Sequence, residues 1–477
     1  MTTRRVKLAP DALELARGFA RIRSQMHLPE GWSQEVEDEA NRVAAGPLDP
    51  KGYADARHIE FVTIDPPGSR DLDQAFHAER KGSGFVVHYA IADVNAFVPP
   101  GSALDVESRK RGQTLYCPDE RILLYPSVLS EGAASLLPDS DRPSVLWTIE
   151  LDDHGRPTDV DVHRAIVRSR KQLTYEDAQN EIDNGDGTSP LAVLKTVGGL
   201  RVEQERERGG VSLNLPDQEV LRSGSTYRLS YRAPLPVEAW NAQISLLTGM
   251  AAADIMIRGG VGLLRTMPAP DEQTVALLRR SAAALGHEWP ASTSYPDFVR
   301  TLDPSHPTDA ALVMLATRLF RGVAYTYFEG TPPADAAQHA IGAPYAHVTA
   351  PLRRVGDRFA TEVALALCAN TKPPAWCLEA LPVIPEAMKE SDRRAGELER
   401  RVVDFVEAVA MEDRRGETFD AVVVEVGRHG GTIQIKEPAV LARCDGALTL
   451  AATIRARLAE VDPDRGRLRF EAVGATT

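Results

Sequence analysis

The chain has 477 residues, 43% of them hydrophobic and 26% charged, and 55 Lys and Arg against 68 Asp and Glu give a formal net charge of −13. Those proportions belong to a folded globular protein and exclude whole-chain disorder, collagen and low-complexity classes. The acidic balance argues against a chain that coats itself in nucleic acid, yet leaves room for an enzyme with a local basic channel. No apolar run approaches the roughly 20 residues of a membrane span. The basic start lacks the apolar segment of a secretion signal. Cys117, Cys368, Cys377 and Cys444 lack the spacing of a zinc site or a disulfide framework. The reading is a cytoplasmic protein away from membranes, of about three domains at roughly 150 residues each.

Residues 1–58 predict a small helical module. Leu15, Phe19, Ile22 and Met26 recur at helical spacing, with Arg17, Arg21 and Arg23 on the other side. Ser33 before Glu35, Glu37, Asp38 and Glu39 reads as an N-cap with acids in the first turn. Two arrangements fit: a helix-turn-helix-like module, or an arm packed on the main body. From His58 strands follow as HIEFVTID, DLDQAFHAE and GFVVHYAIADV, with a hairpin turn at Lys81-Gly82-Ser83-Gly84, then around 113–125, 144–151 and 158–168. Helical patterns dominate 172–205 and 236–412, so 59–412 predicts one large α+β body. Residues 416–477 carry four or five short strands, the pattern of a small barrel. On the strand near 450–459, Thr453, Arg455 and Arg457 share one face and Ile454, Ala456 and Leu458 the other. Lys436 and Arg443 lie nearby in sequence.

The strongest chemical signal is TIDPPGSRDLDQAF. Asp65 ends an apolar strand, a Pro-Pro-Gly turn follows, and Asp71 and Asp73 share a face if the chain there is extended. Three converging carboxylates repel and raise one another's pKa unless a cation sits among them, and hard oxygen ligands suit Mg²⁺. A solvated acidic turn is the plain alternative. In TAPLRRVGDRFATEVALAL, a helix with Pro351 in its first turn would carry Arg353 and Arg354 where acids are favoured. A bound phosphate would explain them, as would local salt bridges. Tyr116 and Tyr175 sit in polar surroundings, as rim residues or as platforms for bases.

The series HIEFVTIDPPGSRDLDQAF, YAIADV, TLYCPDERILLYPSVLSEGAASLLPDSDRP, QLTYEDA, ERGGVSLNLPDQEV, TAPLRRVGD and ELERRV resembles the RNB catalytic domain of the RNase II/RNase R/exosome exoribonuclease family over roughly 58–412. The last 60 residues resemble an S1-type OB barrel. Residues 1–58 are unlike the paired cold-shock barrels that normally precede such a domain. The resemblance implies a Mg²⁺-dependent 3′→5′ exonuclease, with Mn²⁺ as the alternative metal, that acts on single-stranded RNA and releases nucleoside 5′-monophosphates; no obligate protein partner is inferred. It assigns metal binding to Asp65, Asp71, Asp73 and position 74, where Gln74 replaces the family's acid. It makes Arg353 the arginine on the scissile phosphate, with Arg354 next, and Glu399 a further acid near the site. Tyr116 would hold the RNA in its channel, and Tyr175 would pack on the 3′-terminal nucleotide. Gln243 falls at a family Glu that reads the ribose 2′-OH, with Glu238 and Asn241 close enough to compete for that place. Asp93 reads as a structural turn residue. Arg455 and Arg457 would meet RNA from the barrel. The competing reading is an RNA-binding protein on a catalytically weakened RNB fold; survival of the other motif residues argues against it.

Overall fold

The computed structural model describes residues 7–8, 13–47, 51–185, 187–211, 217–223, 226–232, 234–303, 306–435 and 440–473. Lys436 and residues 212–216 of the ERGGVSLNLPDQEV stretch lie outside the described residues.

A two-residue strand, Lys7–Leu8, which joins the hairpin Asp217–Ser223 and Thr226–Arg232 in a small sheet, precedes two helices, α1 (Leu13–Gln25) and α2 (Gln34–Ala45). Ser33 caps α2, its Oγ accepting the Val36 N–H, and Glu35 and Glu37 complement the helix dipole. The α1 stripe of Leu15, Phe19 and Ile22 is buried, and Phe19 meets Phe405 edge-on with ring centres 5.5 Å apart. Arg21 pairs with Asp464, and Arg23 pairs with Asp119 at 2.7 Å and Glu120 at 2.9 Å. Helix α1 is therefore packed on other parts of the chain through both its apolar stripe and its arginines.

The central sheet is built from β1 (Ala54–Asp55), β2 (Phe61–Ile64), β3 (Gln74–Lys81) and β4 (Gly84–Ala92). After helix α3 (Ala103–Arg111) and a short hairpin, β5 (Leu115–Tyr116) with β6 (Arg121–Ile122), come β7 (Asp141–Leu151) and β8 (Pro157–Leu173). The strand order is β1-β8-β2-β3-β4-β7, and β8 pairs with β7 as well. Residues 157–168 of β8 run antiparallel to β7, and 169–173 run parallel to β2. One long strand thus serves both neighbours, and the sheet curls on itself. The β3–β4 turn leaves only Gly82 and Ser83 between the paired Lys81 and Gly84. Gly82 there adopts φ +59°, which a two-residue hairpin asks of its turn.

Helices α4 (Tyr175–Asn184), α5 (Pro190–Glu207), α6 (Pro236–Gly259), α7 (Val355–Cys368) and α8 (Ile384–Ala410) pack about the sheet, and further helices at Glu272–Ala284, Tyr295–Arg300, Pro307–Ala316 and Ala375–Ala380 join them. The helix α6 buries residues around most of its circumference, as a central helix does. Three sequence expectations need correction. The 236–412 stretch is interrupted by paired strands Val261–Thr266 and Ala324–Glu329. The helix expected from Pro351 begins at Val355, with residues 351–353 in a turn. The 113–125 region yields only the two-residue strands β5 and β6.

At the C-terminal end, β9 (Thr418–Gly427), β10 (Gly430–Ile435), β11 (Val440–Asp445), β12 (Thr453–Asp462) and β13 (Arg467–Ala472) close a barrel in the order β9-β10-β11-β13-β12. Along β12, Thr453, Arg455 and Arg457 are exposed while Ile454, Ala456 and Leu458 are buried. The barrel interior, α1, the β5–β6 hairpin and α8 share one apolar cluster. Among the described residues no helix is long and apolar enough to cross a membrane.

Candidate active site

The acidic loop is fixed by its backbone. Asp65 follows β2, and its N–H bonds the Leu173 carbonyl at the end of β8. Pro66-Pro67-Gly68 then reverses the chain, with Gly68 at φ +78°. Residues 69–72 precede β3 without joining the sheet and are held by a second loop, while the Asp73 carbonyl accepts the Ala92 N–H of β4. Ser135 Oγ donates to the Arg70 carbonyl at 2.6 Å and accepts the Leu72 N–H at 2.9 Å, while the Leu136 N–H bonds the Leu72 carbonyl. That loop contains a π-helical turn (Leu129–Ala133), a geometry that frequently marks functional sites.

Asp65, Asp71 and Asp73 are neighbours in this frame, but guanidinium groups stand among them. Asp73 is 1% exposed and accepts the Leu352 N–H at 2.7 Å and Arg353 Nε at 2.6 Å. Asp71 accepts Arg121 Nη1 at 2.7 Å on one oxygen and the Tyr116 hydroxyl at 3.3 Å on the other. Asp65 Oδ2 is buried without a protein partner. Burial pushes the Asp65 carboxyl up to about 6, against the pull of Arg353 and with the help of Asp71. Burial likewise pushes Asp73 up to about 7 although Arg353 opposes it.

The three carboxylates lie close enough for Asp71 to act on both Asp65 and Asp73, with Arg353 and Arg121 drawn in among them. Among the described residues no three acidic, His or Cys side chains form a metal-binding group by themselves. What the site offers is the unpartnered Asp65 oxygen beside Asp71. That fits Mg²⁺, which usually takes one or two protein carboxylates together with substrate phosphate oxygens.

Gln74 also departs from its expected place among the metal ligands. Its amide oxygen accepts the Tyr89 hydroxyl, and its NH₂ donates to the Thr349 carbonyl at 2.7 Å. Both ends of the amide are engaged in joining β3 and β4 to the 349–354 loop. Gln243, expected to read the sugar, is 4% exposed and donates to Glu205 across the α5–α6 contact. Ser245 on the same helix instead meets Thr349, with hydroxyls 2.8 Å apart.

Arg354 is committed as well. It makes a two-point ion pair with the fully buried Asp357, at 2.8 and 2.7 Å, and Asp357 also accepts the Ala350 N–H. This latch shapes the turn that presents Arg353, whose side chain is 33% exposed. The Arg353 carbonyl accepts the Thr114 N–H, and the Val355 N–H bonds the Gly112 carbonyl, so the approach to the β5–β6 hairpin lies alongside.

Tyr116 is 48% exposed, close to both Asp71 and Arg353. Tyr175, the first residue of α4, lies near the buried Tyr89, whose hydroxyl is held neutral chiefly by burial, then by the charge of Asp65 and by Tyr175. Glu399 is half-buried on α8, the helix against which β5 packs. Asp93 is the structural residue expected of it: it accepts the Tyr53 hydroxyl, Arg164 Nε and the Asn95 N–H. On the barrel, Arg455 pairs with Asp420 at 3.5 Å and Arg457 with Glu471 at 2.6 Å, so neither is an unmatched cation.

Sequence reasoning missed Arg121, Glu131, Ser135 and Tyr89. Arg121 spans Asp71 and Glu131, at 2.7 Å to each. A signal for it existed: in LYCPDERI a four-residue turn places Arg121 directly across from Tyr116.

A family model described as the RNB domain matches residues 53–365, and one described as the RNase II-type exonuclease C-terminal S1 domain matches 417–473. Ribonuclease R of Escherichia coli is 27% identical over 438 residues, covering 86% of this chain and 53% of the relative. The human exosome complex exonuclease RRP44 is 29% identical over 327 residues, covering 65% of this chain and 34% of the relative. The chain spans about half the length, or less, of these curated relatives. Among solved structures, Mycoplasma genitalium RNase R in complex with ribose-methylated single-stranded RNA superposes with a TM-score of 0.84 at 18% identity, over 95% of this chain and 77% of that one. Yeast Ssd1, a pseudonuclease, superposes at 0.69 and 16% identity, over 94% and 57%. The acidic loop, the arginine turn and the C-terminal barrel are accordingly those of an RNB-domain protein with an RNase II-type S1 domain, and the chain belongs to that family.

Proposed function

We propose that the chain hydrolyses single-stranded RNA from its 3′ end, releasing nucleoside 5′-monophosphates with Mg²⁺ as cofactor. The observation that carries this reading is the buried, unpartnered Asp65 oxygen beside Asp71 and the partly exposed Arg353. Asp65 and Asp71 would hold the metal, which when bound supplies Lewis-acid activation of water and stabilisation of the leaving 3′-oxygen.

The other roles fall to the chain itself. Asp73 and the Leu352 backbone fix the Arg353 guanidinium through Nε, leaving its terminal N–H groups for the scissile phosphate, where charge develops. The exposed Tyr116 ring and Tyr175 are the platforms for bases, since stacking needs no particular sequence. The relatives named ribonuclease R and exosome exonuclease support the reaction class, and the structure of RNase R holding single-stranded RNA supports the substrate.

A second reading, RNA binding without hydrolysis, is favoured by one observation: Gln74 is locked into protein contacts at the place of the family's fourth acid. The pseudonuclease Ssd1 shows that this fold can stand without the activity. Incubating 5′-labelled poly(A) with and without Mg²⁺ separates the two. Mg²⁺-dependent shortening with release of AMP supports the nuclease. Retention of full-length RNA in a stable complex supports the binder.

A further inference from the structure

The β5–β6 hairpin has two working faces. Tyr116 and Arg121 are directly paired across it, and both bond to Asp71, one to each carboxylate oxygen. On the other face, Leu115, Cys117 and Ile122 are buried in the cluster that contains Leu15, Phe19 and Ile22 of α1. Two ladder pairs, Leu115 with Ile122 and Tyr116 with Arg121, give so short a hairpin little stability of its own. Its tip is held from outside. Arg23, in the last turn of α1, reaches Asp119 through Nη1 and Glu120 through Nε, with side-chain exposures of only 13% and 17% for Arg23 and Asp119. The ion pairs at its tip therefore come from the N-terminal helix, which also shares with α8 and the barrel the apolar cluster beneath the hairpin.

We propose that Arg23 is a positioning residue for the acidic centre: by gripping the Asp119–Glu120 tip it holds Tyr116 and Arg121 against Asp71. The N-terminal arm thus sets catalytic geometry without touching RNA. This rests on the nuclease reading for its rate readout, though not for its structural one. With the grip released, the hairpin samples orientations in which Asp71 loses both partners, and small displacements of a reacting group carry large rate penalties. RNA affinity falls by less than the rate, because the Tyr116 ring moves with the hairpin but is one stacking contact among several.

The test compares Arg23→Ala, the tip variant Asp119→Asn with Glu120→Gln, the combination of the two, and Arg21→Ala as a control on the same helix facing the barrel. Hydrogen exchange should rise across 115–122 in the first three and stay unchanged in the control. Single-turnover cleavage of a labelled RNA at saturating enzyme should fall by about tenfold, with a smaller rise in Kd from the displaced Tyr116 ring. The combined variant should be no worse than either alone, because all three remove one contact. Unchanged hairpin exchange in Arg23→Ala overturns the proposal whether or not the protein is a nuclease. So do additive effects in the combined variant, or an equal rate loss in Arg21→Ala. If the wild type does not cleave RNA, the exchange and coupling measurements still decide whether Arg23 controls the hairpin, while the nuclease reading fails separately.

Discussion

Replacing Asp65 by Asn should stabilise the metal-free protein at pH 8. The Asp65 carboxyl is buried with one oxygen unpartnered, and its pKa is pushed up to about 6 from 3.8. A raised carboxyl pKa means that the folded state keeps a proton which the unfolded chain has already lost. Stability then falls as pH rises from about 4 through about 6, and the loss is complete at pH 8. A shift of about two units corresponds to about 3 kcal/mol at 1.36 kcal/mol per unit. Asn removes that titration and keeps the shape. With an unfolding entropy near 2.1 cal/mol/K per residue over roughly 300 residues, about 3 kcal/mol is about 5 °C in Tm. Calorimetry in chelator should therefore show Asp65→Asn melting about 5 °C above wild type at pH 8 and level with it near pH 3, below the unfolded-state value. Adding Mg²⁺ at pH 8 should raise the wild-type Tm and leave the variant unmoved, since binding to the folded state stabilises by mass action. A variant no more stable than wild type at pH 8 would refute the claim that Asp65 is a strained, unneutralised charge.

Asp73→Asn should abolish hydrolysis yet leave RNA binding nearly intact, measured by product release and by filter binding, because it loosens Arg353 without touching channel contacts. Arg353→Lys should lower kcat by about 10²-fold or more with little change in KM, since a lysine cannot hold the Asp73 pairing and reach the phosphate together; a change confined to KM would make Arg353 a binding residue. Gln74→Asp, by losing the donor to the Thr349 carbonyl, should lower stability by about 1–3 kcal/mol, read from denaturant melts. Arg455→Ala and Arg457→Ala should each change the slope of log K against log salt by less than about 0.7, because both arginines already have acidic partners.

What the sequence disclosed depended on how locally each feature is determined. The alternation along β12 and the Ser33 cap are set by neighbours within a few residues, and both are present as read. The acidic loop was legible because Asp65, the Pro-Pro-Gly turn and Asp71 are contiguous. The direction in which each carboxylate turns was not, since the partners Arg121, Tyr116 and Arg353 come from distant segments. The start of α7 was misplaced for the same reason. Pro351 signals a helix, but Asp357 draws the Ala350 N–H and Arg354 into a latch, and residues 351–353 become the turn that presents Arg353. Gln243 shows the limit of spacing alone: its own helix turns it toward Glu205 on α5.

The shared cluster that joins α1 to α8 and the barrel bears on how the protein is made. A ribosome releases α1 early, yet its partners Phe405 and Asp464 lie far along the chain, the latter 443 residues beyond Arg21. At roughly 5–20 residues per second, the apolar stripe of Leu15, Phe19 and Ile22 waits on the order of 20–90 s for its seat. During that interval it is an exposed amphipathic segment, the kind of surface that holding chaperones cover. The docking of α1, and with it the setting of the β5–β6 hairpin over Asp71, is then among the last events of folding. Activity in a nascent chain would be withheld until its distal end has emerged.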